Sequence, residues 1–176
     1  MKLNKIILFI LVIILNSINS QAQVTENEYK AAFIERFTRF IEWPANEHLK
    51  NEDAPFTITI LGENTLGQAL DEFFDAITIK NKKVKLIYTT SLSKIEESDL
   101  IFVSGSYKRN IPQLLSHIEN LPILTISDTP GFATDGIQIN LVRKESHIRY
   151  EINLKALKAA GLKVNSLLLA SAKIIN

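Results

Sequence analysis

Two serines could act as nucleophiles, since Ser104 and Ser106 follow the apolar run Leu100–Val103 and flank a glycine. A nucleophile elbow needs a glycine two positions before and two positions after its serine, and neither serine has that pair. A serine nucleophile also needs a base beside it. The histidines are scattered along the chain, at His48, His117 and His147. A serine hydrolase therefore stays as a third hypothesis, and no catalytic residue is predicted.

The sequence contains no clear motif for binding a metal or a cofactor. No two histidines stand at helical or strand spacing with a carboxylate partner, so a metal site would need ligands from distant segments. The segment Gly62–Gly67 lacks both the Lys-Ser/Thr ending of a phosphate loop and the glycine spacing of a dinucleotide fingerprint. We interpret it as a strand-to-helix turn, with weak carboxylate binding by its amides as the alternative. The sequence predicts neither a metal nor a cofactor.

Small polar turns follow three of the predicted strands, at Gly62, Ser104 and Asp128. Ligands of open parallel sheets bind beyond the carboxyl ends of the strands, so these residues are candidate contacts. The loop from Asp128 to Asn140 contains two glycines, one proline and two aspartates. It is predicted to form the mouth of a small-molecule or partner site.

Charged residues alternate along a predicted hairpin strand. Arg149 and Glu151 stand two positions apart and share one face, and Arg143 and His147 are expected nearby across the turn. A solvated charge pair worth little is one interpretation. The alternative is an anion-recognising or protein-facing patch, because arginine is favoured in such contacts.

A hairpin is predicted to carry these charges. Ile137, Ile139 and Leu141 alternate with polar neighbours, which predicts a half-buried strand. The alternation resumes over 147–152 after a charged turn, so the two runs form a β-hairpin.

Two closing helices are predicted after the hairpin. Asn153 is the expected N-cap of the first, and Gly161 is the expected left-handed residue of a Schellman cap. Asn165 or Ser166 caps the second helix. Its predicted buried side consists of Leu167, Leu168, Ala170 and Ile174.

The preceding part alternates strands with helices. A capping box at Thr25 and Glu28 begins a helix that ends near Trp43. Strands are predicted at 56–61, 84–88, 100–103 and 123–126, and helices at 66–74, 92–97 and 111–118. This order predicts the α/β class, with a mixed, mainly parallel sheet flanked by helices on both faces.

The first 22 residues have the pattern of a secretory signal peptide. Lys2 and Lys5 precede the apolar block Ile6–Leu15, and small residues in Ser20-Gln21-Ala22 predict cleavage after Ala22. The block is too short to be a comfortable permanent anchor, which is the alternative. The predicted organisation is a signal peptide over 1–22 and a single domain over 23–176, located in the periplasm.

Composition excludes several classes of protein. The 20 basic and 19 acidic residues nearly balance, so no strong field is available to hold nucleic acid. The chain has no cysteine, which excludes disulfides, a lipoprotein thiol, thiol catalysis and thiolate metal sites.

Several motifs resemble one family. The runs 149–154, 161–164 and 167–170 are similar to the C-terminal signature of the YfiR/HmsC-type periplasmic regulators. The helix from Ala31 to Trp43-Pro44, together with Gly62 and the run 131–133, also resembles that family. The chain departs from the family pattern at Asp135-Gly136, where paired glycines are usual.

The resemblance implies a periplasmic repressor or sensor that binds the periplasmic portion of an inner-membrane signalling enzyme, typically a diguanylate cyclase. A sensor kinase, a small-molecule ligand and a second copy of the chain are further candidate partners. Redox sensing known in the family does not transfer to a chain without cysteine. The alternative function is a solute-binding protein with its mouth at Gly62, Ser104 and Asp128.

Overall fold

The computed structural model describes residues 25–44, 51, 53–145 and 147–175. The predicted signal peptide and His48 lie outside these ranges. The strands are β1 (Ile41–Glu42), β2 (Phe56–Leu61), β3 (Thr78–Ile79), β4 (Lys82–Thr89), β5 (Leu100–Val103), β6 (Leu124–Ser127), β7 (Ile139–Lys144), β8 (His147–Asn153), β9 (Lys163–Val164) and β10 (Lys173–Ile175). The α-helices are α1 (Glu26–Phe40), α2 (Ala69–Asp75), α3 (Ile111–His117), α4 (Leu154–Ala159) and α5 (Ser166–Leu169).

Eight strands form one sheet in the order β10-β8-β7-β6-β5-β2-β4-β3. The five strands β4, β2, β5, β6 and β7 run parallel to one another. β8 is antiparallel to β7, β10 is parallel to β8, and β3 is antiparallel to β4. β1 and β9 form a separate antiparallel pair. The predicted class, a mixed and mainly parallel sheet with a C-terminal hairpin and flanking helices, is confirmed.

Each face of the sheet has its own apolar cluster. α1 and α2 cover one face, where Phe37 of α1 packs with Ile60 and Phe102 of the sheet. α3 covers the other face, where Leu114 packs with Val103. Because both faces are covered, β2, β5 and β6 are buried from end to end, as was predicted for the apolar run of β5.

The predicted N-caps are confirmed. Thr25 and Glu28 form a complete capping box at the start of α1. Asn153 Oδ1 accepts a hydrogen bond from the Ala156 amide at 2.8 Å and begins α4. Asn165 accepts from the Leu167 amide and begins α5. These caps were predictable because donor and acceptor stand two or three residues apart.

The Schellman cap at the end of α4 is also confirmed. Gly161 has φ +70°, and the Leu162 amide donates to the Leu157 carbonyl at 3.0 Å. The Gly161 amide donates to the Lys158 carbonyl at 3.0 Å. The two bonds satisfy carbonyls that the end of a helix would leave unpaired.

The second closing helix is shorter than predicted. α5 ends at Leu169, and Ile174, expected on its buried side, lies in β10 beside Ile152 of β8. β10 is a sheet strand because its backbone pairs with β8 from Lys173 to Ile175. A segment of three residues is too short for its sequence pattern to distinguish a strand from the end of a helix.

The strand predicted to be half-buried is buried on both sides. Gln138 and Asn140, expected on a polar face, are 4% and 0% exposed. Both faces of the first half of β7 are covered, because Ile139, Asn140 and Leu141 are each at most 2% exposed. The buried side chain of Gln138 has hydrogen-bond partners. Its Oε1 accepts from the Thr125 amide at 3.0 Å, and its Nε2 donates to the Ile123 carbonyl at 3.2 Å.

Candidate functional site

The carboxyl ends of β2 and β5 meet at Gly62 and Ser104. Gly62 has φ +103°, and a Cβ there would lie 2.7 Å from Ser106 Oγ and 3.0 Å from Ser104 Cβ. Glycine satisfies both the backbone angle and the space. Ser106 Oγ accepts from the Glu63 amide at 2.9 Å and donates to Ser104 Oγ at 3.2 Å. The two serines therefore fasten the turn after β2 to the turn after β5.

These contacts do not build a nucleophilic site. Ser104 is fully buried, and its hydroxyl accepts from both the amide and the hydroxyl of Ser106. His117 Nε2 lies 3.4 Å from Glu96 Oε1, at the end of α3. The described hydrogen bonds of both hydroxyls are structural, and they hold two strand ends together.

The Asp128 carboxylate, directly after β6, takes part in a chain of ion pairs. Lys30 Nζ of α1 lies 2.8 Å from Asp128 Oδ2 and 2.9 Å from Glu26 Oε1. The Arg143 guanidinium, near the end of β7, donates to Glu26 Oε2 at 2.6 Å. Two of the predicted contacts, Asp128 and Arg143, are thus joined through Lys30 and Glu26.

The ion pairs shift two pKa values. The hydrogen bond from Lys30 and its charge lower the pKa of the Glu26 carboxyl, and Arg143 adds to the effect. Burial by itself would lower the pKa of the Lys30 ammonium. The hydrogen bonds and charges of Asp128 and Glu26 outweigh burial and raise that pKa. Glu26 and Lys30 therefore stay charged around neutral pH.

The first turns of α1 lie across this edge of the sheet. Besides the contacts of Glu26 and Lys30, Asn27 Nδ2 donates to the Thr65 carbonyl, in the turn after β2, at 3.2 Å. Sequence reasoning did not find Glu26, Asn27 or Lys30. The spacing of Glu26 and Lys30, four residues apart just after a capping box, was the available signal. We call Glu26, Asn27 and Lys30 the strap of α1.

The first part of the loop predicted as a mouth folds into the core, whereas Thr134, Asp135, Gly136 and Gln138 of its second part line a cavity of about 490 Å³ beside α4. Phe132 and Ala133 are fully buried, and Asn153 Nδ2 donates to the Ala133 carbonyl at 2.8 Å. The cavity beside Asp128 measures about 40 Å³. One water molecule occupies roughly 30 Å³ in the liquid, so this cavity is too small for a solute.

The charges predicted on the hairpin lie on two different faces. Arg149 and Glu151 share one face of β8, and Glu151 Oε1 accepts from Lys173 Nζ at 2.8 Å. Arg143 pairs with Ile148, the residue before Arg149. The alternation of the strand therefore sends Arg143 to the opposite face, where it reaches α1. The expectation that Arg143 lies beside Arg149 is wrong.

The face with Arg149 carries further basic groups. His147 lies on the same side two residues earlier, and its cross-strand partner is Lys144. Lys144, His147 and Arg149 are all exposed. We call these three residues the hairpin patch. The positive charges of Lys144 and Arg149 suit contact with an acidic surface.

Behind the patch, Asn140 pairs with Glu151 across β7 and β8. Asn140 is fully buried, and its Oδ1 and Nδ2 have no hydrogen-bond partner among the described residues. A buried polar group left so costs about 1–3 kcal/mol. This position is therefore locally unfavourable, although its cross-strand neighbours Ser127 and Glu151 are both polar.

Fold and site together define a mixed α/β domain whose polar sheet edge is held by structural contacts. A model of the domain family DUF4154, described as YfiR/HmsC-like, matches residues 27–173. The chain belongs to the YfiR/HmsC-like family, which is known for periplasmic regulators of c-di-GMP signalling. Members typically interact with a partner protein. No curated protein is significantly similar to the chain in sequence.

Solved structures share the fold. A conserved domain protein from Vibrio cholerae superposes with a TM-score of 0.60 at 11% identity, over 86% of this chain and 60% of that one. The ABC domain from Streptococcus pneumonia in complex with L-Trp superposes with a TM-score of 0.52 at 14% identity, over 68% of this chain and 56% of that one. The matched region is thus less than two thirds of either neighbour.

Within the described ranges, none of the helices combines the length and the hydrophobicity that a bilayer crossing requires.

Proposed function

We propose that the chain is exported, is cleaved after Ala22, and represses an inner-membrane signalling enzyme by binding its periplasmic portion. The enzyme is of the diguanylate cyclase or sensor kinase type. The family match over residues 27–173 carries this proposal. The hydrogen bonds of Ser104 and Ser106 support it. Both hydroxyls hold strand ends together, which favours a binding role over a serine hydrolase.

We place the partner contact on the hairpin patch of Lys144, His147 and Arg149. Exposed arginine is favoured at protein interfaces, and a basic patch accelerates association with an acidic surface. Release requires a cue that binds the free and bound states unequally. Because the hairpin patch is basic, the partner's periplasmic portion is expected to present carboxylates to Arg149.

Capture from envelope extract tests the proposal. The mature chain, residues 23–176, is immobilised and should retain a membrane protein that contains a cyclase or kinase domain. Arg149→Glu should retain about tenfold less, because it places like charges in contact. Lys108→Glu, an exposed basic residue away from the hairpin, is the matched control and should retain as much as wild type. Recovery of no membrane signalling protein by wild type would contradict the proposal.

Two further measurements complete the test. Mass spectrometry of the protein released by osmotic shock should give an amino terminus at Gln23. Addition of the mature chain to the purified enzyme in liposomes, on its periplasmic side, should lower product formation. An intact precursor in the cytoplasm, or an unchanged rate at saturating protein, would oppose the role.

A further inference from the structure

Within the described part of the chain, a strand covers only a short part of the outer edge of β4. β2 pairs with β4 from Val84 to Thr89 on one side, whereas β3 covers only Lys82 and Lys83 on the other. Among the described residues, no strand lies against the outer edge from Val84 onward. An uncovered edge presents backbone donors and acceptors that an extended segment can satisfy as an additional strand.

A groove of about 720 Å³ lies beside that edge, between β4 and α2. Phe74, Val84 and Leu86 give it an apolar floor, and Phe74 is only 4% exposed. Tyr88 bridges its two walls by donating to Asp71 Oδ2 at 2.8 Å. Burial, together with this hydrogen bond, raises the pKa of the Tyr88 phenol, so it stays the donor.

The rim of the groove is acidic. α2 contributes Asp71, Glu72 and Asp75, and Lys83 at the β3 end is the one cation among the described lining residues. Lysine or arginine in a bound segment would lay its apolar stem on the floor and its charged end beside a carboxylate. The acidic rim and the apolar floor therefore both favour a segment that contains lysine or arginine.

We propose that this groove binds an extended, basic segment of a partner protein, which adds to β4 as a strand and sets arginine or lysine against the carboxylates of α2. Backbone pairing supplies affinity, and the alternate side chains that enter the groove supply specificity. The inference is independent of the partner's enzymatic class and of the hairpin patch, which lies on strands far from β4 in the sheet order.

The same charges disfavour a second copy of the chain as the occupant. Two β4 edges related by a two-fold axis would pair antiparallel and keep the same face of each sheet on the same side. The two α2 helices would then approach each other, with Glu72 and Asp75 of one copy facing those of the other. Like charges across an interface oppose association.

The test uses a defined probe, an acetylated and amidated heptapeptide in which threonine alternates with arginine. Binding to the mature chain is followed by isothermal titration calorimetry and by amide hydrogen exchange. We expect slower exchange within 84–89. A peptide with glutamate in place of arginine should not bind, and neither should the arginine peptide methylated at alternate backbone nitrogens, because strand addition needs those N–H groups.

Variants separate the groove from general charge effects. Glu72→Gln with Asp75→Asn should weaken the arginine peptide by about five- to tenfold. Glu97→Gln with Glu119→Gln removes two exposed carboxylates elsewhere and should change affinity by less than about twofold. Equal binding of the methylated peptide, protection confined to other strands, or a dimer that forms through β4 in sedimentation would each overturn the inference.

Discussion

The Lys30 ammonium of α1 donates a hydrogen bond of 2.8 Å to the Asp128 carboxylate, which lies 98 residues further along the chain. Their side chains are only 14% and 16% exposed. With the contacts of Glu26 and Asn27, this bond lays the start of α1 over the ends of β2 and β6. The edge at which parallel sheets usually bind ligands is thereby occupied by the protein itself.

Removal of the Lys30 charge should destabilise the domain. Lys30→Met keeps much of the apolar stem but leaves the largely buried Asp128 carboxylate without this partner, so we expect a loss of about 2 kcal/mol. Urea unfolding measures the change. Lys108→Met, at an exposed position, is the control and should lie within about 0.5 kcal/mol of wild type. Equal stability of the two variants would show that the bond contributes little.

The strap should also give the stability a pH dependence. The folded-state pKa of Glu26 is below the ordinary value of 4.5, so its carboxylate stabilises the fold above that pH. The contribution is lost as the pH falls through the lowered pKa. The stability difference between wild type and Glu26→Gln should therefore be constant near neutrality and shrink below pH 4.5, as measured by denaturant titrations at a series of pH values. A difference that grows on acidification would contradict this assignment.

Gly62 and Gly67 provide a matched pair of substitutions. Both have positive φ, but a Cβ at Gly62 meets Ser106 Oγ at 2.7 Å, whereas a Cβ at Gly67 meets nothing within 4 Å. Gly67→Ala should cost about 1 kcal/mol, the strain of the backbone angle alone. Gly62→Ala should cost about 1–2 kcal/mol more, because the serines must also move. Thermal and urea unfolding of the two variants compare these costs, and equal losses would rule out the crowding.

Asn153 has two separable roles. Its Oδ1 caps α4, while its Nδ2 donates to the Ala133 carbonyl at 2.8 Å. Asn153→Asp keeps the cap but places a carboxylate against that carbonyl, so it should cost about 2 kcal/mol. Hydrogen exchange should then accelerate in the loop around Ala133 before it does in α4. Asn165→Ala, which removes an exposed cap only, should cost about 1 kcal/mol without affecting that loop.

Features encoded within a few residues were predictable from the sequence. The capping box at Thr25, the cap at Asn153 and the Schellman glycine at Gly161 each bring together groups three to five residues apart. The alternation of strands with helices, together with the apolar run of β5, also predicted the parallel sheet. In these segments the local preference and the final packing agree, which makes the pattern informative.

Features that depend on the position of a strand in the sheet were not predictable. Alternation around Asn140 indicated a solvated face, but other parts of the chain cover that face, and Gln138 and Asn140 are 4% and 0% exposed. The side on which Arg143 lies follows from its pairing with Ile148, which is set by the hairpin register. The bond of Lys30 to Asp128 joins segments with no local pattern in common. Candidate residues chosen by type were therefore placed on the correct strand ends, but their partners were not found.

The strand order also has a consequence for how the molecule assembles. After β5, each further strand of the large sheet (β6, β7, β8 and β10) lies beside the sheet strand that precedes it in the chain. A polypeptide that emerges amino-terminus first, from a ribosome or a translocation channel, can extend the sheet one strand at a time with short loop closures. α1 emerges earliest, yet its lysine must wait for Asp128. We expect that salt bridge to form late, and pulse-labelled exchange during refolding would time it.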